Sequence, residues 1–155
     1  MTTVDPGTNT EMAAERGEPA GDHARSADPF ASAIVALERS GASWSRLRDQ
    51  GTGHEDDILV ADGDRSVAVK ALEAAGWREI RHIGHGTHRW FHGYDPDLDR
   101  WARIDIVTGL DYGRWQEWRT GSAAGCLARS TVVAGERRMS ADDAFWTLLL
   151  HETLD

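Results

Sequence analysis

The chain has 155 residues, 40% apolar and 28% charged, which suits one ordinary domain able to bury its own core. Its formal net charge of −9 argues against a broad phosphate-backbone surface and against an anionic membrane. No apolar run is long enough to cross a bilayer, and the single cysteine, Cys126, excludes an internal disulfide.

Residues 1–28 carry six acids and two arginines, so −4 of the charge sits there and −5 on the rest. Large apolar side chains are almost absent from this segment, which reads as a disordered acidic leader ahead of one domain over 29–155. It lacks the basic start and apolar stretch of a secretory signal. With a lone cysteine read as a small buried thiol, a reducing, cytoplasmic location is expected.

A first helix follows, with Asp28 as cap, Pro29 in its first turn, Phe30, Ile34 and Leu37 on one stripe, and Gly41 as its stop. Ser43–Arg48 reads as a short strand, 49–54 as a polar turn and Glu55–Val60 as the next strand. Arg65–Ala75 reads as a second helix capped by Asp64 and ended by Gly76. Trp77–Ile83, Thr87–Tyr94 and Trp101–Val107 form an expected antiparallel meander, with a Pro-containing turn over 95–99. Gly109–Trp118 reads as a loop with a helical turn, and Ala128–Val133 as an edge strand. The last helix starts at Ser140, with Asp143 completing a capping box. It is apolar nearly all round, so it is expected either to be buried on several sides or to pack against further sequence or a protein partner. The order predicts an α+β fold: a mixed or antiparallel sheet with helices on one face.

Chemistry concentrates in Glu55-Asp56-Asp57-Ile58-Leu59-Val60. Strand alternation puts Glu55 and Asp57 on one face and Asp56 on the other with Ile58 and Val60. Carboxylates held side by side repel unless a divalent cation lies between them, and magnesium takes oxygen ligands while leaving positions for phosphate oxygens. A third acid, Asp105, sits between Ile104 and Ile106, where burial is costly without a partner or ligand. Two acids on one strand and one on a neighbour can hold two metals. The plainer alternative makes Glu55–Asp57 a solvated strand entrance and pairs Asp105 with Arg103 or another cation.

His82, His85, His88 and His92 do not share a helical or strand face, so zinc is not expected. Trp44, Trp77, Trp90 and Trp101 fall on expected strands and read as core, and Trp115 and Trp118 read as packing on the sheet ahead of the alternative of stacking on a base or covering a partner surface.

The acid-x-acid strand ending in Leu-Val, the helix and strand over Ala68–Trp77, the hairpin segment Arg89-Trp90-Phe91-His92-Gly93-Tyr94-Asp95-Pro96 and the strand Ile104-Asp105-Ile106 together resemble the nucleotidyltransferase superfamily. Leu47-Arg48 and the closing helix around Ala144–His151 also resemble bacterial nucleotidyltransferase-like domains, and the likeness covers about residues 30–155. It implies a nucleotidyltransferase-like fold with Glu55, Asp57 and Asp105 as catalytic residues and metal ligands. Arg48, Gly51, Thr52 and Gly53 would lie by the phosphates of a nucleoside triphosphate. Magnesium would be the cofactor, and a nucleoside monophosphate would pass to an acceptor of unstated identity. Three departures stand out: Glu55 where the family has Asp, Asp56 between the acids, and Gly51-Thr52 close to them in place of a distant Gly-Ser pair. These favour the alternative implied by the same likeness, a catalytically inactive binding or regulatory module.

Overall fold

A computed structural model describes residues 28–48, 53–81, 86–96, 99–133 and 135–154. The expected leader therefore lies outside the described residues except for Asp28. Gly51, Thr52, His82 and His85 lie outside them too.

The first helix, α1 (Ala31–Ser40), opens on Asp28, whose Oδ1 accepts the Phe30 N–H at 3.0 Å. It closes on Gly41 in the left-handed conformation (φ 74°), as the sequence predicts. Strands β1 (Trp44–Arg46) and β2 (Glu55–Val60) follow, then a 3-10 turn over Asp62–Asp64 and helix α2 (Arg65–Ala74). Asp64 does not cap α2 with its side chain. Its Oδ2 instead accepts the Ser43 N–H at 2.9 Å, tying the helix entrance to β1. The expected meander is present as β3 (Arg78–Ile80), β4 (Arg89–Asp95) and β5 (Arg100–Val107).

The segment expected to be a loop carries a small separate hairpin, β6 (Asp111–Tyr112) with β7 (Trp118–Arg119). The expected edge strand at Ala128 is replaced in part by helix α3 (Ala123–Arg129), and the strand begins later as β8 (Thr131–Val133), paired with β9 (Glu136–Arg138). Helix α4 (Ala141–Leu154) closes the described chain. Ser140 Oγ donates to Asp143 Oδ2 at 2.7 Å and accepts the Asp143 N–H at 3.2 Å, so the expected N-terminal signal operates.

Seven strands form one mixed sheet in the order β3-β4-β5-β2-β1-β9-β8. The β2–β5 and β1–β9 pairs are parallel, and the other neighbours are antiparallel. The fold is thus α+β with a mixed sheet and helices packed against it. The expectation of helices on one face is corrected. Helices α1 and α2 bury Ile34, Leu37, Ala68 and Leu72 against Trp44, Ile58, Val60, Ile104 and Ile106. On the opposite face Leu59 and Val107 belong to a second core with Leu110, Tyr112 and Cys126, and Ala144 and Leu150 of α4 pack against it. The physical reason is visible in β2: Ile58, Leu59 and Val60 are consecutive and all buried, which requires cover on both faces.

Cys126 is the buried thiol expected, and burial pushes its pKa up. Trp44 and Trp77 are core residues as expected, and Trp77 stacks on Phe30 at 6.2 Å. Trp101, Trp115 and Trp118 are exposed, against expectation. Trp101 stands on a strand beside Tyr94 (5.3 Å between rings), and Trp115 carries the Arg114 guanidinium over its ring at 5.3 Å. No described helix is long and apolar enough to cross a membrane.

Asp56 occupies the α1/α2 side of β2, as alternation predicts, and is buried. Arg46 Nε donates to its Oδ2 at 2.6 Å. Burial nevertheless raises the Asp56 pKa to about 6, with Arg46 pulling it back only in part. The folded state therefore holds this proton more tightly than an unfolded chain with a carboxyl near 3.8. Stability from this group is fully present below that value and is lost as pH rises through about 6. Asp56→Asn removes the titration. Its stability relative to the parent chain, read by urea denaturation, is expected to rise by about 2–3 kcal/mol between pH 4 and 7 and then to level. A difference that does not change with pH contradicts this.

Candidate carboxylate site

The parallel register of β2 and β5 sets the site. Glu55 lies opposite Arg103, Asp57 opposite Asp105 and Leu59 opposite Val107. Alternation therefore stacks the Asp57–Asp105 pair on one face, with the apolar Leu59–Val107 pair behind it. Where the second core ends, the acids face a cavity of about 570 Å³. Its walls include Arg48 after β1, His88 before β4, the turn from Tyr112 to Gln116, and Thr147 and His151 of α4.

Each acid meets a cation. Arg103 Nη2 contacts Glu55 Oε2, Arg48 Nη2 stands 3.5 Å from Asp57 Oδ2, and His88 Nδ1 is 2.6 Å from Asp105 Oδ2. Of the two partners open to Asp105 from the sequence, Arg103 is taken by Glu55 and a histidine supplies the other. The second carboxylate oxygen, Asp105 Oδ1, is buried and has no hydrogen-bond partner among the described residues. Burial raises the Asp57 pKa above the ordinary carboxylate range; Arg48 opposes the shift, and the Asp105 and Glu55 carboxylates add to it.

The structure thus gathers Glu55, Asp57, Asp105 and Arg48 around one cavity. Gly53 is partly exposed and is not among its described lining residues. Gly51 and Thr52 lie outside the described residues. Among the described residues no three His, Cys, Asp or Glu side chains converge closely enough to hold a metal ion. The reason is local: Glu55 is more than a third exposed and turned to Arg103, which leaves Asp57 and Asp105 as the close-set pair. One or two carboxylates are what magnesium ordinarily takes from protein when phosphates complete its shell. A buried, unpartnered carboxylate oxygen fits that demand.

His88 is the contributor that spacing arguments did not single out. A signal existed in the hairpin register: Trp90 lies opposite Asp105, and His88 is two residues before Trp90, on the same face and one step along the diagonal. Arg114, Gln116, Thr147 and His151 carried no such signal, because they come from the short hairpin and from the inner side of α4.

Gly113 shapes the hairpin wall. Its φ of 91° is left-handed, and a Cβ there would stand 2.6 Å from Trp118 Cδ1 and 2.8 Å from the Glu117 carboxyl. Gly113→Ala is expected to destabilise the domain by about 1–2 kcal/mol in thermal denaturation and to loosen this wall. A melting temperature equal to the parent's contradicts that reading.

No protein family model, no curated protein and no solved structure matches this chain.

Proposed function

We propose that the cavity binds a nucleoside triphosphate with a divalent cation, magnesium, and that the domain transfers a nucleoside monophosphate to an acceptor hydroxyl or phosphate. The observation that carries this reading is the Asp57–Asp105 pair, in register across two parallel strands, with an unpartnered oxygen and Arg48 on the same cavity. Arg48 and His88 offset only part of the repulsion between the two carboxylates, and the unpartnered Asp105 Oδ1 facing a concave site favours a cationic ligand.

Asp57 and Asp105 would hold the magnesium, which supplies charge neutralisation at the phosphates when bound. Arg48 would bind a phosphate oxygen, exchanging its 3.5 Å contact with Asp57 for the ligand. His88 keeps the Asp105 carboxylate oriented through Oδ2 and leaves Oδ1 for the site. In the transfer, an acceptor oxygen bonds the α-phosphorus while the bridge to the β-phosphate breaks, and pyrophosphate leaves.

A second reading, a module that binds without catalysing, is favoured by one observation: Glu55 is held by Arg103, so two acids rather than three face the ligand. Calorimetric titration of ATP and GTP, with and without magnesium, tests the shared part. Magnesium-dependent binding lost in Asp57→Ala supports the site, and pyrophosphate release with an acceptor then separates enzyme from module. No binding of either nucleotide rejects both readings.

A further inference from the structure

We infer that the Gln116 carboxamide recognises the base of the nucleotide, an inference that rests on the nucleotide-binding reading above. The ligand then lies with its phosphates at Asp57 and Asp105 and its base against the tip of the β6–β7 hairpin.

Gln116 stands on the cavity wall under unusual constraint. Its φ of 55° is left-handed, a conformation that a residue with a long side chain keeps only where its surroundings hold it there. Its N–H donates to the Gly113 carbonyl at 2.7 Å, which closes the hairpin tip. The side chain then reaches across to the segment before β4. A Cβ on Gly86 would collide with Gln116 Oε1, so the carboxamide fills space that any other residue at 86 would need.

Packing alone does not account for this contact. Gln116 Oε1 is buried and has no hydrogen-bond partner among the described residues, and Thr87 Oγ1, beside Gly86, is in the same condition. Buried polar atoms of this kind are rare in folded proteins, and one carried by a cavity wall points to a ligand group that satisfies it. Turning the carboxamide about its last bond, a torsion with a broad profile, brings Oε1 to the cavity without moving the backbone.

Chemistry and distance select the base. An amide oxygen needs an N–H or O–H, whereas the oxygens of a triphosphate are acceptors. A carboxamide presents an acceptor beside a donor, and a nucleobase edge carries the matching pair, as in the 6-amino group and N7 of adenine. A ribose hydroxyl would satisfy one of these positions, a base edge both. Gly86 lies two residues before His88, a chain reach of at most about 7 Å, and His88 Nδ1 is 2.6 Å from Asp105 Oδ2. The carboxamide and the carboxylate pair therefore fall within the span of one nucleotide.

Calorimetric titration of the full chain with magnesium tests this, using ATP, CTP, GTP, UTP and inorganic tripolyphosphate. At least one nucleotide is expected to bind about tenfold or more tighter than tripolyphosphate, and the preferred one identifies the base edge. Gln116→Ala is expected to remove that preference and to leave tripolyphosphate affinity within about twofold of the parent's. Gly86→Ala, which displaces the carboxamide without deleting it, is expected to do the same, both variants being checked for parental circular dichroism. Tripolyphosphate bound as tightly as every nucleotide, or a nucleotide preference that survives Gln116→Ala, overturns the inference and leaves the phosphate and magnesium site standing. Equal loss of both kinds of ligand marks Gln116 as a prop of the wall and also overturns it. No binding of any of these ligands to the parent overturns the inference and the nucleotide reading together.

Discussion

Replacing Arg46 by Met is expected to cost about 3–5 kcal/mol of stability at neutral pH. Arg46 is only 11% exposed in its side chain and meets three carboxylates: Asp56 at 2.6 Å, Glu136 at 2.6 Å and Asp28 at 3.4 Å. Asp56 has no exposure to fall back on, with 4% of its side chain accessible. Methionine fills the same volume but leaves that carboxylate buried beside an apolar chain. The cost also has a pH signature. Asp56 takes up its proton near pH 6, so below that pH it needs no counter-charge and the penalty shrinks. Urea denaturation at pH 5 and pH 7.5 should therefore give a smaller loss at the lower value. Equal losses, or a loss under about 1 kcal/mol at both, would mean that Arg46 behaves as a surface ion pair.

The same substitution should loosen one sheet edge. β9 joins β1 through a single register pair, Arg46 with Arg138, and through the Met139 N–H donated to the Arg46 carbonyl at 3.1 Å. The Arg46–Glu136 contact adds a side-chain tie across that junction. Hydrogen exchange in β8 and β9 is expected to accelerate before that in β4 and β5.

Asp57→Asn is expected to act in opposite directions on binding and on stability. Burial and two neighbouring acids make the ionised Asp57 carboxylate unfavourable in the free protein. Neutral asparagine relieves that repulsion, and the unliganded chain should gain about 1 kcal/mol, seen as a melting temperature higher by a few degrees. Arg48 loses a partner but is partly exposed and can turn to water. Magnesium-dependent nucleotide binding should meanwhile weaken by at least about a hundredfold, because half of the carboxylate pair is gone. A residue kept only for structure would not give this combination. Loss of both binding and stability would instead mark Asp57 as a packing residue.

Much of the sheet was legible because its signals are local. The Ile58-Leu59-Val60 run, the reversal that pairs β4 with β5 and the Ser140–Asp143 cap each rest on a few adjacent residues with strong preferences. Alternation also placed Asp56 and Asp57 on the correct opposite faces. Helix α3 was missed because its inward stripe, Ala123, Cys126 and Leu127, is short and mostly small, and a glycine lies inside it. Strand β9, Glu136-Arg137-Arg138, has no apolar residue at all and is held by the Arg46–Glu136 ion pair and by its pairing with β1 and β8. Such long-range pairing leaves no pattern to read in the chain. The same limit applied at the site. Asp105 stood out as an acid between isoleucines, but its neighbour His88 emerged only with the β4–β5 register. Glu55 was grouped correctly with Asp57, and the cross-strand position of Arg103 is what turns it aside.

The most direct test of a cation-dependent nucleotide site at Asp57 and Asp105 is paramagnetic broadening by manganese in the amide spectrum, recorded with ATP present. Broadening centred on 55–57 and 103–106, relieved by excess magnesium and absent in Asp57→Asn, is the result expected. Broadening confined to the acidic segment 1–28, or unchanged by Asp57→Asn, would contradict it.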